Sequence, residues 1–247
     1  MVTGASSGLG VAYAEHLAAE GVGVVLVARS ADKMEKVAAG LRERHGVETL
    51  VLPVDLTDRG ARAGLIERLS GLEISYLVNN AGFGTLGHFH EIEPGRIASE
   101  LELNVVALTE LTRAVLPDML ARRRGAIINV SSTGGFQPIP EMAVYAASKS
   151  YVLRFTVGLW GELKDTGVRA IAICPGPTET DFFANAGNDA VMSRRRSPEE
   201  VVATTFDGLA KHRPFVVDGA LNKAMAFANR LAPARVQAAI ARRIATH

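Results

Sequence analysis

Thr3-Gly4-Ala5-Ser6-Ser7-Gly8-Leu9-Gly10, followed by Gly23-Val24-Val25-Leu26-Val27-Ala28, is the stretch that decides how this chain is read. Between the two segments, Val11, Ala14, Leu17 and Ala18 recur at helical spacing up to Gly21, so the glycine-rich turn opens a helix. The run from Gly23 to Ala28 is continuously apolar, as a strand buried on both faces must be. Strand, glycine turn, helix and buried strand form the repeating unit of a parallel sheet with helices on both faces. Met1-Val2-Thr3 reads as the last residues of a strand. Either the start lies upstream or the sheet accepts a short strand here.

Outward from that stretch the alternation continues. Arg29-Ser30 turns the chain into a charged helix from about Ala31 to Arg44, and a strand from Thr49 to Val54 ends at Asp55. A helix over about Asp58 to Leu69 precedes the short strand Tyr76 to Asn79 and a loop from Asn80 to His90. One long helix is expected from about Ala98 to Arg124, then a strand over Ala126 to Val130. A helix from Ala143 to Lys164 and a buried strand from Arg169 to Cys174 follow. Ser197-Pro198-Glu199-Glu200 has the pattern of a helix start, with Ser as cap, Pro at the first position and Glu completing a capping box. Phe215-Val216-Val217 is a last short strand. No linker or repeat divides the chain, so 1–247 is read as one α/β domain.

Composition narrows the function. The chain has 247 residues, 48% hydrophobic and 21% charged, with a formal net charge of +1. These are globular values without a general pull toward nucleic acid, and no nucleic-acid partner is expected. The lone Cys174 excludes an intramolecular disulfide framework and fits a reducing compartment. Neither a leader pattern nor an apolar run of about eighteen residues is present, so a soluble cytoplasmic protein is the expectation.

Two features carry chemistry. In a doubly wound sheet, ligands bind beyond the carboxyl ends of the strands, where the glycine turn falls. Its GxxxGxG spacing differs from the usual GxGxxG. It suits either close approach of a pyrophosphate to helix N–H groups or simple packing of strand on helix. Further on, Tyr145-Ala146-Ala147-Ser148-Lys149 puts a phenol and an ammonium four residues apart on one helical face. A neighbouring cation lowers a phenol's pKa, which general acid–base catalysis can use. The same spacing also arises from a half-buried Tyr and a solvated Lys.

Taken together, the motifs are similar to those of the short-chain dehydrogenase/reductase family along nearly the whole chain. They are Thr3-Gly4-xxx-Gly8-x-Gly10, Asn79-Asn80-Ala81-Gly82, the series Asn104, Ser132, Tyr145 and Lys149, and Pro175-Gly176-xxx-Thr180. The resemblance implies a three-layer, doubly wound Rossmann fold with a mostly parallel seven-stranded sheet in the order 3-2-1-4-5-6-7. It also implies hydride transfer between a nicotinamide cofactor and a carbonyl or secondary alcohol. Tyr145 would be the general acid or base, and Lys149 would lower its pKa and hold the nicotinamide ribose. Ser132 would bond the substrate oxygen, with Ser131 a structural neighbour. Asn104 would hold a water linking Lys149 to solvent, unless its amide merely bonds within its own helix. Gly4, Ser6, Ser7, Gly8, Leu9, Gly10, Asn80, Ala81, Gly82, Tyr145, Lys149, Pro175, Gly176, Thr178 and Thr180 would line the cofactor. Asp55 and Leu56 would meet its adenine, although Asp55 also suits a helix cap or turn. No metal ligand is assigned.

Cofactor choice turns on Ala28-Arg29-Ser30. An Asp at the end of the second strand would repel a 2′-phosphate, whereas Arg29 offers a planar donor fork and Ser30 a hydroxyl. NADP(H) is therefore expected ahead of NAD(H). A hydrophobic ketone, aldehyde or 3-oxoacyl substrate is expected beneath a lid region at 178–212. Phe182 and Phe183 from the lid, with Phe136, Ile139 and Met142, would line the pocket. Arg194-Arg195-Arg196 would meet a phosphate-bearing substrate or form a solvated loop, the more expected of the two. Arg122-Arg123-Arg124 reads as the solvated end of a helix. A basic helical extension at 219–247 suits packing or subunit contact, and less readily an anionic membrane surface. The resemblance implies a homodimer or homotetramer. A cofactor-binding sensor or scaffold without turnover is the alternative, and the intact series of four argues against it.

Overall fold

The computed structural model describes residues 1–179, 195–231 and 233–245. Strands β1 (Val2–Thr3), β2 (Val24–Ala28), β3 (Thr49–Pro53) and β4 (Tyr76–Asn79) alternate with helices α1 (Gly8–Ala19), α2 (Ala31–His45) and α3 (Arg59–Leu69). Helices α4 (Pro94–Leu101) and α5 (Leu108–Ala121), strand β5 (Gly125–Val130), helix α6 (Ala143–Glu162) and strand β6 (Val168–Cys174) follow. The chain continues through α7 (Pro198–Ala210), β7 (Phe215–Val217), α8 (Ala220–Leu231) and α9 (Ala234–Ala245). The seven strands pair in the order β3-β2-β1-β4-β5-β6-β7, as expected, and every pairing is parallel.

Adjacent residues on a strand point to opposite faces, so each central strand serves two cores. Leu26, Val78 and Ile128 face one side, where Tyr13 and Leu17 of α1, Met34 and Leu41 of α2, and Val201 and Leu209 of α7 cover them. Val27, Leu77 and Ile127 face the other, beneath Leu65 of α3, Leu111, Val115 and Met119 of α5, and Leu159 of α6. Only two covered faces explain why these strands read as unbroken apolar runs.

β1 is central yet has only two residues. Its pairing is lengthened by Met1, whose carbonyl accepts from the Val78 N–H at 2.9 Å and whose amino nitrogen donates to the Tyr76 carbonyl at 2.7 Å. The expected capping box at the start of α7 is present: Ser197 Oγ accepts from the Glu200 N–H at 3.2 Å and Glu200 Oε2 accepts from the Ser197 N–H at 3.0 Å.

The helical stretch expected from about Ala98 to Arg124 is present, running from Pro94 to Ala121 with one irregular turn. α4 ends at Leu101, a π-helical turn occupies Glu102–Ala107, and α5 begins at Leu108. The apolar period continues through all three, so sequence spacing does not register the one-residue insertion. Such turns gather at functional sites, and this one carries Asn104.

The arginine triplets are corrected in part: Arg123 and Arg124 are exposed at the end of α5, as expected, whereas Arg122 and Arg196 are tied to the fold. Arg122 is half-buried, its Nη2 donating to the Ile74 carbonyl and its Nε to the Arg124 carbonyl at 3.1 Å. Arg123 Nη2 donates to the Asp165 carbonyl at 3.0 Å. Arg196 ion-pairs with the buried Asp218 at 2.6 Å and with Glu200 at 3.2 Å, so it anchors chain rather than waiting for a phosphate. Arg194 lies outside the described residues, as do Thr180, Phe182 and Phe183.

Candidate active site

The site lies at the carboxyl ends of β1, β4 and β5. At its floor, Thr3 Oγ1 accepts from the N–H groups of Asn80 and Ala81, both at 3.0 Å, and Asn80 Nδ2 donates to the Thr3 carbonyl at 2.9 Å. The loop after β4 is thereby locked under the turn after β1. Gly4 bends at φ +65, and a Cβ on Gly10 would stand 2.1 Å from the Gly4 carbonyl oxygen. No side chain fits between turn and helix. Ser7 caps α1 without a side-chain hydrogen bond, so the first-turn N–H groups keep no protein partner from the cap. With Ser6, Gly8 and Leu9 beside them, these residues form a cradle that fits a pyrophosphate.

The adenosine end follows from β2 and β3. Arg29 is exposed at the end of β2 and Ser30, half-buried, caps α2. The Asp55 Oδ1 accepts from the Thr57 N–H at 2.9 Å and its hydroxyl at 2.7 Å. Partial burial pushes this carboxyl up, but the Thr57 bonds and the charge of Arg29 hold it below its ordinary range. Asp55 is a turn residue, and Asp58 is the cap of α3. Leu56 is buried, and its carbonyl accepts from Arg62 Nη1 at 2.6 Å. Arg62 itself is fully buried between Glu102 and Glu110, an ion cluster no sequence pattern announced.

The reacting groups converge from three elements. Ser132 Oγ accepts from the Gly134 N–H at 3.0 Å and shares a hydrogen bond with Tyr145. Ser131 points elsewhere, its hydroxyl donating to the Lys149 carbonyl at 2.7 Å. Lys149 Nζ donates to the Val130 carbonyl at 2.8 Å and stands 5.8 Å from the Tyr145 ring centroid. Asn104 bonds outside its own helix: Nδ2 donates to the Phe83 carbonyl at 2.8 Å and Ser148 Oγ at 3.0 Å, and Oδ1 accepts from the Phe83 N–H at 3.1 Å. A Cβ on Gly82 would lie 2.9 Å from Asn104 Oδ1 and 3.3 Å from Lys149 Nζ, so both atoms meet at that glycine.

Burial dominates the electrostatics of the pair. Burial pushes Tyr145 up to about 12, the Ser132 bond pulls it down and the Glu100 carboxyl pushes it further up. Burial lowers Lys149 itself to about 8, while Cys174 and, less strongly, Glu100 work in the opposite direction. At neutral pH the pair is a protonated phenol beside a largely protonated amine, which is the state of a proton donor.

Glu100 is the residue that sequence reading missed. It is only 1% exposed, and one charge in the acidic run Glu100-Leu101-Glu102 gives no sign of which carboxylate turns inward. Among the expected pocket residues, Met142 and Ile139 lie by Tyr145. Met142 Cε and Tyr145 Cδ2 both close on Gly84, at 3.0 and 2.9 Å from where its Cβ would be, and Ile139 Cδ1 closes on Gly134. Phe136 does not join them. Its ring packs 5.9 Å from that of Phe215 on the edge strand, lining another groove with Lys211 and Phe227. Pro175 accepts from the Thr133 N–H at 2.8 Å, Thr178 Oγ1 donates to the Gly176 carbonyl at 3.1 Å, and Thr178 bridges to Arg196.

α8 packs on this flank through Ala226 and an Asn229–Gln137 bond, while Leu221, Met225 and Phe227 are exposed. Among the described residues no helix is long and apolar enough to cross a membrane.

Comparison with known proteins agrees with this geometry. The family model for short chain dehydrogenases matches residues 1–190. A very-long-chain 3-oxoacyl-CoA reductase from Anas platyrhynchos is 38% identical over 183 residues, covering 71% of this chain and 58% of that protein. The chain thus spans little more than half the length of that curated relative. A short-chain dehydrogenase from Sphingobium yanoikuyae, solved with NADPH, superposes with a TM-score of 0.85 at 34% identity, over 93% of this chain and 92% of the other. A bulky-bulky ketone specific alcohol dehydrogenase from Comamonas testosteroni gives a TM-score of 0.81 at 31% identity, over 93% and 90%.

Proposed function

The chain belongs to the short-chain dehydrogenase family, and on that premise we propose that it is an NADP(H)-dependent oxidoreductase that interconverts an apolar carbonyl compound and its secondary alcohol. One observation carries the reading: Ser132, Tyr145 and Lys149 meet at the carboxyl ends of β4 and β5, beside a cradle that accepts no side chain. NADPH, when bound, supplies the hydride. Arg29 and Ser30 would hold a 2′-phosphate, and the turn from Gly4 to Gly10 the pyrophosphate, with Asn80, Ala81, Gly82, Pro175, Gly176 and Thr178 completing the wall.

Each side chain has a defined task. The Tyr145 phenol gives its proton to the substrate oxygen as the carbonyl becomes an alcohol. The Ser132 oxygen is fixed by the Gly134 N–H, and with substrate bound its hydroxyl would donate to that same oxygen and stabilise charge developing there. Lys149 keeps positive charge beneath the phenol and binds the ribose. The second lone pair of Asn104 Oδ1 takes a water beside Lys149. Met142 and Ile139 give the reacting carbon an apolar wall.

The relatives support the substrate class: their names specify 3-oxoacyl thioesters and bulky ketones. The proposal extends to a homodimer or homotetramer in the cytoplasm, testable by light scattering and cell fractionation. NADPH consumption with a panel of ketones, aldehydes and 3-oxoacyl-CoA thioesters tests the reaction. Turnover is expected in the wild type and none with Tyr145→Phe, while NADPH binding persists in both. Tight NADPH binding with no turnover across the panel would instead favour a sensor or scaffold.

A further inference from the structure

Between α4 and the first residues of α6 lies a small cavity of about 20 Å³, enough for one water. Thr85, Gly87, Glu100, Glu141 and Val144 are among its walls. Glu100 is 1% exposed, and its Oε1 is buried with no hydrogen-bond partner. Thr85 bonds the other side of the carboxyl, through hydroxyl and backbone. Thr85 Oγ1 also accepts from Arg96 Nε at 3.1 Å, and the Arg96 guanidinium stacks 4.3 Å over the Phe83 ring. Phe83 is the residue whose backbone Asn104 clamps. Glu100 therefore sits inside the framework of the site.

We propose that Glu100 is a positioning residue of the reaction: its buried carboxyl group, bonded to Thr85 next to the Gly84 that Tyr145 packs against, acts on the reacting pair and so biases the site toward carbonyl reduction. The inference rests on the hydride-transfer reading above. A carboxylate in low-dielectric surroundings acts over several ångströms, because solvent does not screen it. The charged and titratable groups around it are Arg96 on its own helix, Tyr145 and Lys149 on α6, and Glu141 across the cavity. Its negative charge disfavours phenolate at Tyr145 and favours ammonium at Lys149. Burial is the largest effect and raises the Glu100 carboxyl overall, opposed by the Thr85 bonds and the charges of Arg96 and Lys149, which favour its charged form. A phenolate would be the form needed to take a proton from an alcohol, so losing this charge eases oxidation at the expense of reduction.

Glu100→Gln keeps shape and removes charge. In this variant the alkaline fall of kcat/KM for ketone reduction is expected to move to lower pH by about half a unit or more. The ratio of oxidation to reduction rates at one pH should rise. Thr85→Val, which removes a bond to the ionised carboxyl, should shift the profile the same way by less and keeps the test alive if Glu100→Gln does not fold. Folded variants whose pH profiles coincide with that of the wild type would overturn the proposal, even if their melting temperatures fall. Tyr145→Phe separates the two readings. If it is inactive while Glu100→Gln leaves the profile unmoved, only the role of Glu100 fails; if it is active, the hydride-transfer reading fails.

Discussion

At the scale of single residues, adjacent serines do different work. Ser131 is 2% exposed and bonds the Lys149 main chain; Ser132 faces Tyr145. Ser131→Ala should lower folding stability by about 1 kcal/mol in urea denaturation and leave the form of the kinetic pH profile alone. Ser132→Ala should lower kcat by about 100- to 1,000-fold with little change in stability, as loss of an oxyanion donor does. Lys149 supplies the pH dependence. Burial lowers it to about 8, so its positive charge is present at neutral pH and lost as pH rises through that value. Tyr145, pushed up to about 12, stays protonated over the same range. The kcat/KM for reduction should therefore be level around neutrality and fall above about pH 8. A profile still level well into the range of an ordinary lysine would refute the assignment.

At the scale of elements, the first glycine turn and the third helix make opposite predictions for the same substitution. A methyl at Gly10 would collide with the Gly4 carbonyl and the Asn80 amide, both part of the cradle. Overpacking of this kind costs about 1–3 kcal/mol, so Gly10→Ala should weaken NADPH binding roughly tenfold to a hundredfold in a fluorescence titration. Gly64 lies inside α3 with open space around its Cβ position. Gly64→Ala should raise stability by about 0.5–1 kcal/mol and leave NADPH affinity unchanged. The π-helical turn is a different kind of element. It places Asn104 where its amide reaches Phe83 and Ser148, which a residue on an uninterrupted α-helix would have to approach from another angle.

At the scale of the molecule, the cradle, the strand ends and the reacting side chains exist together only in the folded chain, so cofactor binding must stabilise the fold. At NADPH a hundredfold above its Kd, folding stability should rise by about 2.7 kcal/mol, read as a higher melting temperature. NADH at the same concentration should give a smaller shift, and Arg29→Ala should narrow the gap between the two. Equal shifts in the wild type would remove Arg29 from cofactor choice. The sequence by itself determined the alternation of strands and helices, because burial on both faces leaves continuous apolar runs such as Gly23 to Ala28 and Arg169 to Cys174. It also determined the glycine turn and the order of Asn104, Ser132, Tyr145 and Lys149, because those are fixed by spacing along the chain. Only the tertiary structure decided that Glu100 turns inward, that Phe136 packs on the edge strand and that Arg196 pairs with Asp218. It alone showed a phenol held protonated by burial. Pairings between residues far apart in the chain, and the desolvation that shifts a pKa, depend on which surfaces meet, and local spacing carries no record of that.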